Sequence, residues 1–188
     1  MAANTGQKIF IWVIAVTMLV GTIGASFLII LANDNTVKEQ KEQKAQLAKM
    51  QKQQEEEQKQ KLTSLRPLPG YKAEKFAAAD VRELVKKDLK KGSGTAVKGD
   101  SDVKVNYFGW TSDGKIFDST NQGGKVEPGE FNVGQTIKGW ITGLSGAKEG
   151  GVRQLTIPAD QGYGEAGSGT IIPPNAPLMF IIEVIDVK

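Results

Sequence analysis

Residues 103–110, VKVNYFGW, alternate between polar and apolar side chains and therefore predict a β-strand with two different faces. One face carries Val103, Val105 and Tyr107, and the other carries Lys104, Asn106 and Phe108. The stretches VRQLTI at 152–157 and LMFIIEVIDV at 178–187 show the same strand character. SDGK at 112–115 is typical of a hairpin turn, and WITGLSGA at 140–147 is the one helical candidate after residue 80. Antiparallel strands with one short helix predict an α+β fold.

The whole chain has 188 residues, which is room for one ordinary domain with extensions. It contains no cysteine and no histidine, which excludes disulfides, thiolate or imidazole metal sites, and nucleophiles activated by histidine. We predict no metal and no cofactor. The net charge of +3 comes from lysines spread along the chain. This pattern favours a solvated basic surface over nucleic-acid binding.

Residues 9–32 contain no charged side chain. As a helix this segment reaches roughly 36 Å, which is enough to cross a hydrocarbon core of about 30 Å. A cleaved signal peptide and a buried core helix are the alternatives. The apolar region of a cleavable signal is usually about 7–15 residues long, shorter than this one. We therefore predict an uncleaved, single-pass transmembrane anchor within residues 1–35.

The two sides of this segment give conflicting signals about its orientation. Lys8 precedes the segment, whereas several lysines follow it from Lys38 onward, and the positive-inside rule would then place the domain in the cytoplasm. An N-terminal anchor ahead of one domain is, however, the usual arrangement for a domain displayed outside the cytoplasm. We expect an extracytoplasmic domain, against the charge pattern.

Residues 36–70 are expected to form a stalk. Residues 36–62 are almost entirely Lys, Glu, Gln and Ala, which are good helix formers with few apolar positions for a heptad seam. A solvated helical or disordered spacer is favoured over a coiled coil. RPLPG at 66–70 would stop any helix, so we expect the globular domain to occupy residues 71–188.

Large apolar residues are predicted to point inward in this domain, and several of them lie beside turns and loops rather than in mid-strand. They could be simple core, but bulky groups at loop edges have less reason to be buried and favour a pocket. In the loop YGEAGSGTIIPP at 163–174, two bare isoleucines are typical of a flap over such a pocket. The residues are Tyr107, Phe117, Phe131, Ile137, Trp140, Tyr163, Ile171 and Phe180.

Five blocks, in order, carry a family resemblance. They are VKVNYFGW (103–110), GKIFDST (114–120), FNVGQTIKGWITGL (131–144), RQLTIPADQGYG (153–164) and IIPPNAPLMFIIEVIDV (171–187). Together they resemble the FKBP-type peptidyl-prolyl cis–trans isomerase domain over roughly residues 81–188. The resemblance implies an antiparallel β-sheet wrapped around one short helix, with a substrate pocket between them.

The same resemblance implies roles for individual residues. Trp140 would form the floor of a proline pocket, and the Tyr163 hydroxyl and the Ile137 N–H would each hold a substrate carbonyl. Ile171 and Ile172 would lie on the flap and cover the substrate. The implied catalytic residues are Asp118, Tyr163, Tyr107 and Phe117. The implied substrate-binding residues are Trp140, Ile137, Thr136, Phe131, Ile171, Ile172 and Phe180.

Three positions depart from the family pattern. Asn106 replaces a frequent histidine but should point away from the pocket, and Thr136 replaces a usual valine. Gly129 stands where many members carry a second pocket phenylalanine, which should loosen the grip on substrate and weaken the binding of macrolide inhibitors. The flap is short, so the inserted chaperone domain of some members is absent.

The leading interpretation is a prolyl isomerase that acts on proline-containing protein substrates at a membrane surface. The alternatives are a catalytically weak FKBP-fold module that binds prolyl segments or a partner protein, and an oligomeric scaffold organised by residues 36–62.

Overall fold

The computed structural model describes the backbone of residues 34–188 and the side chains from residue 41 onward. The chain divides between Thr63 and Ser64 into two units. The predicted membrane span at 9–32 lies outside the described residues. Within residues 34–188, every helix is too short or too polar to cross a membrane.

The first unit contributes one long helix to the described part of the chain. Helix α1 runs from Asp34 to Ser64 and has 31 residues, a length of about 46 Å. Its larger apolar side chains, Leu47 and Met50, are 45% and 57% exposed. The predicted stalk is therefore helical, and it ends shortly before Pro67, which cannot donate to a continuing helix.

The second unit, residues 64–188, is built from nine strands and one α-helix. The helix α2 spans Lys138–Leu144. The strands are β1 (Leu65–Arg66), β2 (Val85–Lys90), β3 (Asp102–Thr111), β4 (Ile116–Ser119), β5 (Asn121–Gln122), β6 (Lys125–Val126), β7 (Gly129–Asn132), β8 (Val152–Ile157) and β9 (Leu178–Val187).

The main sheet is antiparallel throughout and has the order β2-β8-β9-β3-β4, with β7 also paired to β3. The small strands β1, β5 and β6 form a second sheet. The predicted turn at 112–115 joins β3 to β4, with Gly114 at a φ of 83°. The predicted antiparallel sheet and short helix are confirmed. Strand β2 was not predicted, because in VKKDLK only Leu89 is even partly buried.

On the edge of β3 that does not pair with β9, the hydrogen-bonded neighbouring strand changes at Tyr107. Residues Asp102–Val105 pair with β7, and Phe108–Trp110 pair with β4. Thr120 fills the gap between these partners, since its hydroxyl accepts from the Tyr107 N–H at 2.9 Å and its N–H donates to the Tyr107 carbonyl at 2.9 Å. This arrangement fixes the backbone of Tyr107 beside the end of β4.

Helix α2 packs very closely on strand β8 because two of its residues are glycines. A Cβ atom at Gly139 would lie 2.4 Å from Cγ2 of Ile157, and one at Gly143 would lie 2.6 Å from Cδ1 of Leu155. The helix begins before the predicted residue 140 and ends before residue 147. It stops at Leu144 because Gly146, at a φ of 75°, turns the chain away.

The main sheet has a separate hydrophobic cluster on each face. The inner-face cluster includes Val105, Tyr107, Trp140 and Phe180. The outer-face cluster is built from Leu68, Phe108, Trp110, Val152 and Ile181, and the segment 65–76 covers it. Leu65 and Leu68 are 6% and 4% exposed, so the compact unit begins at Ser64 rather than at the predicted residue 71.

Candidate functional site

Aromatic rings meet edge to face on the inner side of the sheet, around Trp140 at the start of helix α2. The ring centroid of Trp140 lies 5.2 Å from that of Tyr107, 5.7 Å from Phe131 and 5.4 Å from Phe180. Phe117 joins through Phe180 at 5.4 Å. These perpendicular contacts are the geometry in which aromatic rings attract each other. Five of the predicted site residues therefore form one group of contacting aromatic rings, the aromatic group.

Three rings at the centre of this group, its floor, are buried, whereas the residues at its edge are partly exposed to solvent. Trp140, Tyr107 and Phe180 are at most 8% exposed, so they are core residues as well as site residues. The partly exposed members form a rim of apolar surface around the buried rings. They are Phe117, Phe131, Ile137, Tyr163 and Ile171. Buried rings beside partly exposed apolar residues make this group a candidate surface for contact with a small apolar ring.

The indole nitrogen of Trp140 lies beneath this rim. Its Nε1 is buried and has no hydrogen-bond acceptor among the described residues. The rings of Tyr107 and Phe180 stand at 90° and 82° to the indole. An aromatic face is a weak acceptor for such an N–H, at a fraction of the strength of an oxygen. The floor of the site therefore keeps a donor that the rest of the fold does not use.

One carboxylate lies at the edge of the aromatic group. Asp118 is on β4, opposite Gly109 of β3, and its Oδ2 accepts a 2.5 Å hydrogen bond from the hydroxyl of Tyr107. Its Oδ1 accepts from the Ser119 N–H at 2.9 Å. Both oxygens are therefore oriented by hydrogen bonds, so the carboxylate is held in place at the boundary between the apolar rings and solvent.

Two tyrosines near Asp118 keep their hydroxyl protons up to high pH. Burial raises the pKa of Tyr163 to about 12, and the charge of Asp118 adds to the effect. Burial also raises the pKa of Tyr107 well above its usual value, followed by the charge of Asp118 and the hydrogen bond to it. Both hydroxyls therefore remain donors over the whole physiological range.

The loop after strand β8 brings Tyr163 and Ile171 to the rim. A hydrogen bond from the Ser168 N–H to the Ile172 carbonyl at 2.9 Å closes the loop on itself, and the Asn175 N–H donates to the Gly164 carbonyl at 2.9 Å. Gly167 sits inside this closure at a φ of 64°, where a side chain would be strained. The loop is short and internally tied.

The two predicted flap isoleucines have different positions. Ile171 is partly exposed and packs at the rim of the aromatic group. Ile172 is only 4% exposed and belongs to the core, because the bond to Ser168 turns it inward. The expectation that both residues are bare is therefore wrong for Ile172. Its place in the structure is to anchor the loop, whereas Ile171 presents surface to the site.

The turn before helix α2 leaves one backbone donor, the Ile137 N–H, unused by the described fold. Ile137 is the residue before the helix, in an extended conformation, and its carbonyl accepts from Trp140 and Ile141. Within residues 34–188, no acceptor engages the Ile137 N–H. The Thr136 hydroxyl, in contrast, donates to the Val133 carbonyl at 2.7 Å. The polar group of Thr136 is therefore occupied by the backbone.

Comparison with known proteins agrees with this geometry. Residues 92–185 match the family model described as FKBP-type peptidyl-prolyl cis-trans isomerase, which is half of the chain. The chain belongs to this family. An "FK506-binding protein" of Neisseria meningitidis is 46% identical over 105 residues, which are 55% of this chain and 95% of that protein.

Two further comparisons extend the match. A "Probable FKBP-type peptidyl-prolyl cis-trans isomerase" of Haemophilus influenzae is 42% identical over 122 residues, covering 63% of this chain and 50% of that protein. The crystal structure of FkpA from Escherichia coli superimposes with a TM-score of 0.52 at 31% identity, covering 92% of this chain and 81% of that chain. The protein is thus an FKBP-type peptidyl-prolyl cis–trans isomerase.

Two glycines lie against rings of the candidate site; the effect of Gly109 was not predicted, whereas Gly129 was expected only to loosen the grip on substrate. A Cβ atom at Gly109 would lie 2.5 Å from Cε1 of Phe180 and 2.7 Å from Cζ of Phe117, so these rings meet over a bare backbone. A Cβ atom at Gly129 would lie 2.5 Å from Cε2 of Phe131. The Phe131 ring therefore covers the space that a side chain at 129 would need. A lone glycine inside a strand is the sequence signal for such close approach.

The opposite face of β3 bears out the expectation for Asn106. Its amide nitrogen donates to Oε2 of Glu183 on β9 at 2.9 Å, away from the aromatic group. The candidate site is therefore made of one face of β3 and β9, the start of helix α2, strands β4 and β7, and the loop at 163–174.

Proposed function

We propose that the protein accelerates rotation about X–Pro bonds in protein substrates by holding the proline ring against Trp140 in the aromatic site. The observation that carries the proposal is the buried floor of Trp140, Tyr107 and Phe180 beneath a partly exposed apolar rim. Such a surface excludes water from one side of a bound proline. The site residues require no cofactor for this reaction.

The physical basis is the change in polarity during rotation. The barrier of about 18–20 kcal/mol comes from resonance between the carbonyl and the C–N bond. The twisted transition state loses that resonance and is less charge-separated than the planar ground state. An apolar surface that removes water therefore favours the twisted state relative to the planar one.

The polar groups around the rings have separate roles in this proposal. The Tyr163 hydroxyl and the Ile137 N–H would each hold a carbonyl of the substrate chain, which fixes the two sides of the rotating bond. Asp118 would lie beside the twisting imide and orient Tyr107 through their 2.5 Å hydrogen bond. Phe117, Phe131 and Ile171 would contact the residues that flank proline.

Isomerisation of a short Leu-Pro-Phe peptide by the full-length chain, kept in solution with a mild detergent, tests this function. We expect catalysis by the native chain and its loss in Trp140→Ala and Asp118→Ala variants whose circular dichroism is unchanged. A folded native chain that gives only the uncatalysed rate would contradict the proposal and leave a module that binds prolyl segments.

We further propose that residues 9–32 anchor the enzyme in a membrane, with the isomerase domain outside the cytoplasm. The support is the uncharged length of this segment and the 31-residue polar helix that follows it. Because the chain has no cysteine, one can be placed at the exposed position Ser93. Labelling of Ser93→Cys in intact cells by a membrane-impermeant maleimide is expected. Labelling only after lysis, or release of the chain from membranes by carbonate, would contradict the proposal.

A further inference from the structure

A cavity of about 220 Å³ lies outside the aromatic site. It is bounded by strands β2 and β8, the end of β9 and the loop after helix α2, and it shares no residue with the aromatic site. Three apolar residues of its lining belong to the core, since Ala147, Val152 and Val184 are 3%, 4% and 1% exposed, and they lie beside the glycine backbone of residues 92, 146 and 151. The cavity therefore has room for a small aliphatic group against an apolar base.

The rim of this cavity is strongly basic. Its lining includes four basic residues, Lys90, Lys91, Lys148 and Arg153, and one acidic residue, Asp88. Arg153 is already engaged, since its Nε lies 2.6 Å from Oδ1 of Asp88. The three lysines form no ion pair within 4.0 Å among residues 41–188. Arg153, and more weakly Lys91, lower the pKa of the Asp88 carboxyl, so this single acidic residue is shared and the lysines keep an excess of positive charge around the cavity.

The basic residues of the cavity lie on backbone segments that are joined by hydrogen bonds and close contacts. Arg153 also donates through Nη1 to the carbonyls of Gly143 and Ser145 at 3.0 and 3.1 Å, which ties the cavity wall to the end of helix α2. A Cβ atom at Gly92 would lie 2.3 Å from the Lys148 carbonyl oxygen, so the two backbone segments that carry Lys91 and Lys148 are in direct contact. The lysines thus project from backbones that are fixed relative to each other.

Strand β2, which forms one side of the cavity, is the terminal strand of the main sheet within the described residues. Lysines on an edge strand often serve only to prevent pairing with other chains. That role accounts for Lys86 and Lys87 on β2. It does not account for Lys148, which lies in the loop after helix α2 opposite Lys91 at the end of β2, or for the core residues at the base of the cavity.

We propose that this basic cavity binds an acidic segment of a polypeptide, as a second contact with protein substrates outside the proline site. Carboxylates of the segment would meet Lys90, Lys91 and Lys148, and an aliphatic side chain would reach the floor. Complementary charge of this kind fixes register and raises the association rate of a flexible chain. The proposal rests on the polypeptide substrates of the proposed function but involves none of its site residues.

The test uses a fluorescein-labelled octapeptide of glutamate and leucine without proline, titrated with the full-length chain in detergent and followed by fluorescence anisotropy. A Lys91→Glu/Lys148→Glu variant is compared with Lys72→Glu/Lys75→Glu, which changes two exposed lysines outside the cavity by the same total charge. We expect the cavity variant to bind about tenfold more weakly or worse, and the control to bind like the native chain. Added salt should weaken native binding and leave the residual binding of the cavity variant nearly unchanged.

Equal affinities of the two variants would overturn the proposal. So would binding of vesicles that contain an acidic lipid at the same lysines without binding of the peptide. Isomerisation of an uncharged prolyl peptide is measured on the same samples and should be unaffected in both variants. A native chain without isomerase activity would contradict the proposed function alone, because the anisotropy measurement does not involve the proline site.

Discussion

The two faces of the main sheet each carry an aromatic cluster built on strand β3. The two clusters differ in how their rings pack and in whether the tryptophan N–H has a hydrogen-bond acceptor. On the outer face Phe108 and Trp110 stack at 5.0 Å, and Nε1 of Trp110 donates to the Glu74 carbonyl at 2.8 Å. On the inner face the rings meet edge to face and Nε1 of Trp140 has no acceptor among the described residues. This difference is consistent with a structural role for the covered cluster and with the proposed substrate site at the partly exposed one.

The largest expected effect is on the covered face. Trp110→Ala should lower the free energy of unfolding by about 3–5 kcal/mol, because it leaves a cavity under the segment 65–76. Urea unfolding followed by circular dichroism measures this change. The molecules that remain folded should isomerise a prolyl peptide at the native rate. A lower isomerisation rate per folded molecule would contradict the separation of a structural outer face from a catalytic inner face.

A smaller effect on stability, with a direct effect on rate, is expected at the edge of the open face. Asp118→Ala leaves the buried Tyr107 hydroxyl without its acceptor and should cost about 1–3 kcal/mol of unfolding free energy. Tyr107→Phe in the same chain should recover part of that stability, but not the isomerisation rate. Full recovery of the rate in the double variant would show that Asp118 acts only by satisfying Tyr107.

Two glycines sharpen the comparison, because an added methyl group meets a ring at the same distance in both. Gly109→Ala pushes on Phe180, which is 3% exposed and cannot move, and should cost about 1–3 kcal/mol. Gly129→Ala pushes on Phe131, whose partly exposed ring can swing outward, and should cost less than about 1 kcal/mol. Thermal unfolding of the two variants checks the order. Equal losses of stability would mean that the Phe131 ring at the rim is packed as tightly as the Phe180 ring at the floor.

Gly129→Ala should nevertheless change substrate preference, since it displaces the Phe131 ring from the wall beside Trp140. Isomerisation rates for a set of peptides that differ in the residue before proline measure this preference. An unchanged ranking of the peptides would indicate that the Phe131 ring does not contact the substrate.

The smallest effect is a pH dependence confined to alkaline solution. The folded-state pKa of Tyr163 is raised to about 12 from a usual value of 10, so the unfolded chain loses this proton first as the pH rises. The stabilising contribution of Tyr163 is therefore complete below pH 10 and is lost between pH 10 and 12. Unfolding of the native chain and of Tyr163→Phe should converge in this range. Parallel curves would place the Tyr163 hydroxyl in solvent.

The sequence predicted the strands whose alternating side chains match the two faces of the sheet. The alternation of residues 103–110 predicted both faces of β3, and the same pattern identified β8 and β9. Strand β2 was missed because an edge strand is held by backbone pairing and shows little hydrophobic pattern. The buried start at Leu65 and Leu68 was missed because prolines around them favour a linker in sequence.

The site was predictable to the extent that it is made of motif residues. The rings around Trp140 and the pairing of Asp118 with Tyr107 lie within the family motifs. The inward turn of Ile172 accompanies two backbone hydrogen bonds between Ser168 and Ile172, which no side-chain pattern reveals. The basic cavity joins lysines from segments that are distant in sequence, and only the fold brings Lys91 and Lys148 together.

The most direct test of the difference between the faces uses the indole N–H signals of the three tryptophans in a ¹⁵N-labelled full-length chain. Each signal is assigned by a Trp→Phe substitution, and a prolyl peptide is then added. We predict that the Trp140 signal shifts on titration while the Trp110 signal stays in place. A shift of Trp110 without one of Trp140, or no shift of either at a saturating concentration, would contradict the assignment of the open face as the isomerase site.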